Sequence, residues 1–162
     1  MQRVTSSTDL SGGFTIVELI VVIVVMAILL AVGVQAAVGY QENARDSERA
    51  SDTEVITKAL ERYYRSESVV TGATYPPTTY GAANLATFVD NPAATIAPNQ
   101  TNNSISIASA AGAQTPTVSQ YIYQPLNVNG TLCTAAPCVR YDLYYRVEKA
   151  NAIKVLSSLR QQ

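Results

Sequence analysis

The feature that most constrains this chain is a long apolar run near its N-terminus. Residues 14–40 read FTIVELIVVIVVMAILLAVGVQAAVGY, and Glu18 is the one charged side chain among them. A helix rises about 1.5 Å per residue, so roughly 20 residues cross a hydrocarbon core about 30 Å thick. Lipid also requires backbone hydrogen bonds to close within the segment. The run therefore predicts a membrane-spanning helix, although its valines and isoleucines alone would suit a buried strand.

Composition narrows the function classes. The 162 residues include no His and two Cys, which removes the usual general base at neutral pH, the Ser-His-Asp triad and most zinc sites. A formal net charge of -1 disfavours nucleic-acid binding through a basic field. This composition weakens the case for an enzyme without excluding one. We therefore predict that the protein is not an enzyme and has no catalytic residue, metal site or cofactor.

Three interpretations of the apolar run compete. A secretory signal peptide would be cut near Val34-Gln35-Ala36, but the run is longer than a typical cleaved core and has Glu18 inside its start. A plain single-span anchor also leaves Glu18 unexplained, because a carboxylate entering the membrane costs about 2 to 3 kcal/mol. The third interpretation gives Glu18 a function.

The residues around Glu18 resemble a known processing site. Residues 11–20 read SGGFTIVELI, which is similar to the leader junction of type IV pilins and of the pseudopilins of type II secretion systems. The resemblance implies a leader at residues 1–13, cleavage after Gly13 by a prepilin peptidase, and N-methylation of the new first residue, Phe14. It also implies that Glu18 pairs with the terminal amine of a neighbouring subunit during assembly; the alternative is a contact between Glu18 and the amine of its own chain.

The leader departs from the family pattern in its charge. Arg3 is its single basic side chain and Asp9 offsets it, whereas family leaders are usually more basic. This departure bears on the efficiency of processing rather than on its occurrence.

The resemblance also implies a function and a set of partners. The chain would be a structural subunit of a type IV pilus, a single-pass membrane protein before assembly and part of an extracellular filament afterwards. Its partners would be its own copies and minor pilins through the N-terminal helix, the prepilin peptidase, and an inner-membrane assembly platform with its ATPases. A pseudopilin of a type II secretion system is the alternative within the family. A membrane-anchored binding domain is the alternative from another class.

A charged segment follows the apolar run and predicts that the same helix continues. Apolar side chains recur there at helical spacing: Val55, Ile56, Ala59, Leu60, Tyr63 and Tyr64. Opposite charges also stand three or four residues apart: Glu42 and Arg45, Asp46 and Arg49, Glu54 and Lys58, Glu61 and Arg65. No proline interrupts residues 14–68. We therefore expect one helix, apolar all round in residues 14–40 and amphipathic in residues 41–68.

The remaining residues, 69–162, predict a globular head that makes the fold class α+β. Its first part is proline-rich and predicts loops, with a helical turn at 84–90 that packs Leu85 and Phe88 inward. A small antiparallel sheet is expected within residues 118–160. Its strands are predicted at 118–124, 139–148 and 153–159, with turn residues at 127–130. For residues 153–159 the alternative is a short closing helix.

The two cysteines, Cys133 and Cys138, predict a short disulfide. Four residues separate them, whereas a redox motif has two intervening residues and a reactive helix start. In an exported domain such a pair is expected to be oxidised. The bridge would be similar in place to the C-terminal disulfide loop of many pilins, although its loop is much smaller.

Overall fold

The fold begins with one long helix and ends in a small sheet. This computed structural model describes residues 13–67 and 72–159, without the side chains of residues 35–37 and 67; the predicted leader, Gly13 excepted, lies outside the described residues. Helix α1 spans Ile16–Glu67, 52 residues. The chain divides into two units, residues 1–39 and 40–162. The class is α+β, as predicted.

The first unit carries an uncovered apolar surface. Every residue from Phe14 to Val34 is exposed, and the most apolar 18-residue window has a mean hydropathy of 3.1 and contains no buried residue. Such a segment is long and apolar enough to cross a membrane, and a signal sequence meets the same description.

The second unit has its own core, to which α1 contributes one face. Ile56, Ala59 and Leu60 are buried there, at the spacing of a one-sided helical stripe. They pack against the inner face of the sheet, where Tyr121 and Leu143 are fully buried. The predicted apolar stripe is therefore buried at these three positions.

Within its described residues, 40–67 and 72–159, the second unit contains seven further elements. They are the 3₁₀ turns Thr78–Tyr80 and Pro92–Thr95, helix α2 (Ala82–Thr87), and strands β1 (Ile105–Ile107), β2 (Tyr121–Leu126), β3 (Arg140–Val147) and β4 (Ala152–Ser157). Their order in the sheet is β1-β2-β3-β4, and the β1–β2 pair is parallel while the other two pairs are antiparallel. Because β3 and β4 are in register over six residue pairs, Leu143 lies opposite Leu156 on the inner face.

The three predicted strands are present, and the expected helical turn forms α2 with Leu85 buried. Strand β1 was not predicted, so the sheet is mostly rather than wholly antiparallel. Its sequence, Ile-Ser-Ile, is too short to show a pattern, and a parallel partner 16 positions away leaves no local signal.

Residues 110–116, which were predicted only as a loop, cover part of the outer face of the sheet. Three side chains of β2 and β3 donate hydrogen bonds of 2.7–3.4 Å to backbone carbonyl groups of this segment: Gln124 to Ala110 and Gly112, Tyr144 to Gly112, and Arg146 to Pro116. Gln124 and Tyr144 are buried as a result, so the middle of the sheet is covered on both faces.

Candidate functional site

The start of α1 holds Glu18 through a reciprocal pair of local hydrogen bonds. The backbone N–H of Glu18 donates to the Thr15 hydroxyl at 3.2 Å, and the backbone N–H of Thr15 donates to Glu18 Oε2 at 3.5 Å. This Thr-x-x-Glu arrangement is a capping box, which satisfies two of the amide groups left free at a helix start. The carboxylate also lies where the helix dipole favours negative charge. This local role of Glu18 was not predicted, although the Thr-x-x-Glu motif is visible in residues 15–18.

The residues on either side of the predicted cleavage point have no packing role in this unit. Phe14 is 86% exposed, and a Cβ added at Gly13 would meet no atom within 4 Å. Neither the glycine nor the exposed aromatic ring is therefore explained by contacts within the first unit. The predicted contact between Glu18 and a neighbour's terminal amine stays a prediction, since a single chain does not test it.

In the second unit, a charged clamp fastens the β3–β4 turn to α1. The Arg45 guanidinium donates to both carboxylate oxygens of Glu148, at 2.9 and 2.7 Å. In the opposite direction, the backbone N–H groups of Glu148 and Lys149 donate to the two carboxylate oxygens of Asp46, at 2.7 and 3.1 Å. The helix thus contributes one basic and one acidic side chain, and each has its own partner in the turn. Together they hold the turn at one position along the helix.

Arg49 is the buried centre of this clamp. Its side chain is 2% exposed and donates to Asp46 at 2.8 Å, to Glu148 at 3.0 Å, and to the backbone carbonyl of Val118 at 2.8 Å. A buried charge is tolerated when it is paired and hydrogen-bonded, and here two carboxylates and a backbone carbonyl supply these partners. Arg49 thus connects the helix to the β3–β4 turn and to the segment before β2.

The clamp predicts a specific loss of stability in acid. Hydrogen bonding to Arg45, with a further contribution from Arg49, lowers the pKa of Glu148 from 4.5 to about 2. The stabilising contribution is therefore complete above pH 4.5 and is lost as the pH falls towards 2. Denaturant unfolding of the full chain in non-ionic detergent should show Glu148→Gln losing less stability than the parent across this interval. Identical pH profiles for the two proteins would contradict the assignment.

A second carboxylate of α1, Glu61, is bound by the tyrosines of the core. Its Oε1 accepts hydrogen bonds from the hydroxyls of Tyr75 at 2.9 Å and Tyr141 at 3.4 Å, and from the backbone N–H of Leu159 at 3.3 Å. Burial, reinforced by this carboxylate, raises the pKa of Tyr75 far above its ordinary value. Both hydroxyls therefore stay protonated as donors, and Glu61 ties the end of the sheet to the helix.

Two other buried tyrosines find similar partners. Tyr121 donates to Asp52 at 2.7 Å, and burial raises the pKa of Asp52 while this hydrogen bond opposes the rise. Tyr123 donates to the backbone carbonyl of Pro76 at 2.8 Å. Protein acceptors therefore reach both hydroxyls.

The predicted disulfide is present and anchors the chain that follows α1. Cys133 and Cys138 are fully buried and joined, with a Cα–Cα distance of 5.6 Å. The backbone N–H of Tyr75 donates to the Cys138 carbonyl at 2.8 Å, and the N–H of Thr78 donates to the Cys133 carbonyl at 3.0 Å. The bridged loop therefore positions the segment that leads from the helix into the head.

The described ranges, residues 13–67 and 72–159, contain no group of three His, Cys, Asp or Glu side chains that could hold a metal ion. No protein-family model matches the chain, and neither a curated protein nor a solved structure does. Its function is therefore inferred from the chemistry and geometry of its own residues.

Proposed function

We propose that this chain is a structural subunit of a type IV pilus. It is made as a membrane-inserted precursor, cleaved after Gly13, methylated at Phe14 and then polymerised into a helical surface filament. A long apolar helix followed by a small sheet with a disulfide is compatible with a pilin. The leader junction carries the more specific support, because its residues match the processing motif and are not required by packing in their own unit.

The single observation that carries the proposal is the uncovered helix surface. Residues 14–34 are exposed throughout, while residues 40–162 form a unit with its own closed core. An apolar surface of this size is not stable in water and requires cover from lipid or protein. Lipid supplies it before assembly, and the helices of neighbouring copies supply it afterwards. Repetition of one such contact in a direction that does not close on itself produces a filament.

The position of Glu18 fits this sequence of states. In the precursor its carboxylate caps the helix through Thr15. Cleavage creates a cationic amine at Phe14, four residues before Glu18. In a bundle of apolar helices, charge attraction is much stronger than in water and an unpaired carboxylate is costly. A subunit whose Glu18 meets a neighbour's amine is therefore selected over one in a wrong stagger.

Mass spectrometry of the mature N-terminus tests the processing step. We expect a methylated chain that starts at Phe14, and we expect Gly13→Val to accumulate uncleaved precursor, because a branched side chain fills a position where the peptidase requires the smallest one. Gly39→Ala is the control, since a Cβ there also meets no atom within 4 Å and the site is far from the junction. A chain that starts at Ala37 would indicate an ordinary signal peptide and would overturn the proposal.

Electron microscopy tests the filament itself. Peptide identification in filaments sheared from cells should find this chain as a component of surface pili. Its recovery only when a type II secretion system is overproduced would instead identify a pseudopilin.

A further inference from the structure

The turn after β2 combines an exposed asparagine with a glycine directly after it. Asn129 and Gly130 are both exposed, and no other asparagine of the chain precedes a glycine. They end a β-turn over residues 127–130, which the Gly130 N–H closes by donating to the Asn127 carbonyl at 2.9 Å. Gly130 has a φ of 75°, a conformation that glycine adopts without strain. Within the described part of the chain, the Asn129 side-chain amide makes no hydrogen bond.

This pair of residues can react with itself in water. The backbone nitrogen of Gly130, on losing its proton to water, attacks Cγ of Asn129; a C–N bond forms, and ammonia leaves as the cyclic imide closes. A water molecule then opens the imide at either carbonyl and gives aspartate or isoaspartate. One water is consumed and one ammonia is released, without an oxidant or a cofactor. Because glycine has no Cβ, its nitrogen can approach the side chain with little steric hindrance.

Asn127, in the same turn, is held away from this reaction. It precedes Val128, whose branched side chain hinders the attack. Its own side-chain amide donates to the Thr131 hydroxyl at 3.0 Å and to the Leu132 carbonyl at 3.3 Å. Outside the turn, Asn99 is exposed but precedes a residue with a full side chain.

Arg140, at the start of β3, restrains the turn. Its Nη2 donates to the Val128 carbonyl at 3.0 Å and to the Asn127 carbonyl at 3.4 Å. The Asn127 carbonyl also accepts from Gly130, so the attacking nitrogen is engaged while the turn is closed. The reaction requires this hydrogen bond to break, and exposed turns open at low cost in free energy. Arg140 therefore limits how often the reactive conformation occurs.

We propose that Asn129 is a site of spontaneous deamidation, at a rate that Arg140 limits by holding the turn closed. Residues 68–138 contain one charged side chain, Asp90, so the product carboxylate adds a second charge to this part of the head. The reaction needs only the folded turn and water, and it does not depend on membrane insertion or on assembly.

Peptide mapping by mass spectrometry tests the site. The full chain in non-ionic detergent is incubated at neutral pH in water enriched in heavy oxygen, and fragmentation assigns each change to one residue. We expect Asn129 to change from amide to carboxyl with uptake of one heavy oxygen, about fivefold faster than Asn99. Equal rates at the two asparagines, or a change at residue 129 without heavy oxygen, would reject the proposal.

Two glutamine variants identify the source of the new charge. Asn129→Gln is expected to remove the acidic species that ion-exchange chromatography separates from the incubated chain, because the larger ring that glutamine would form closes far more slowly. Asn99→Gln is the matched control and should retain the acidic species. An acidic species that persists in Asn129→Gln would assign the reaction to another residue and overturn the proposal.

Arg140→Met tests the restraint on the turn. We expect this variant to deamidate about threefold faster, since the turn carbonyls lose a charged donor, and Arg65→Met, on the exposed end of α1, to keep the parental rate. Near-ultraviolet circular dichroism checks that both variants are folded. A folded Arg140→Met with the parental rate would refute the role of Arg140. So would rapid hydrogen exchange of the Gly130 amide in the parent chain, a measurement that needs no variant.

Discussion

Replacing Glu18 by glutamine is expected to leave leader cleavage intact and to reduce the amount of surface filament more than tenfold. The variant keeps the size and hydrogen-bonding shape of the side chain but removes its charge. An ion pair about 4 Å apart at an effective dielectric constant near 20 is worth on the order of 4 kcal/mol, and a loss of about 1.4 kcal/mol already changes an association constant tenfold. The measurements are mass spectrometry of the N-terminus and an immunoblot of sheared filaments.

Glu54→Gln is the matched control for this experiment. Glu54 lies on the same helix, its side chain is 67% exposed, and it pairs with Lys58 at 3.6 Å. Solvent-exposed pairs of this kind contribute at most about 1 kcal/mol, so filament yield should stay near that of the parent. Normal filaments from Glu18→Gln would show that the carboxylate serves only the local capping box with Thr15. A general loss of yield in both variants would point to instability instead.

The order of the helix and the strands was predictable because each shows a simple periodic spacing of apolar residues. The change from an unbroken apolar run to a stripe through Ile56 and Leu60 predicted one helix with two kinds of surface. The alternation in residues 139–148 predicted β3, whose inner face carries Tyr141 and Leu143. Both signals are local, and each element presents one face to a core.

The local sequence pattern did not predict the contacts between segments that are far apart in sequence. Two of the four expected helical ion pairs form, Asp46 with Arg49 and Glu54 with Lys58. Arg45 instead pairs with Glu148, 103 residues away, and Glu61 accepts hydrogen bonds from tyrosines. A bidentate pair, or a partly buried carboxylate with several donors, is stronger than a solvent-exposed helical pair, so tertiary partners determine where these side chains bind.

The candidate sites divide in the same way. Gly13, Phe14 and Glu18 stand within six residues and were identified from a motif. The charged clamp depends on Arg49 and Glu148, which are 99 positions apart, and no spacing in the sequence brings them together.

Arg49→Met is expected to lower the free energy of unfolding by about 3 kcal/mol, since removing one member of a buried charged network leaves its partners unpaired. Methionine fills much of the volume of the arginine stem, so the loss reports charge and hydrogen bonding more than packing. The Val118 carbonyl loses its donor, and Asp46 loses the cation that balances it. Urea unfolding of the full chain in detergent, followed by the near-ultraviolet circular dichroism of its ten tyrosines, gives the measurement.

Arg65→Met supplies the comparison that separates the clamp from a general effect of charge. Arg65 is an exposed residue in the last turn of α1, where such a substitution changes stability by no more than about 0.5 kcal/mol. If Arg49→Met unfolds at the same urea concentration as Arg65→Met, the buried network does not hold the head to the helix. If Arg49→Met alone unfolds early, the buried network of Arg49 holds the β3–β4 turn to α1.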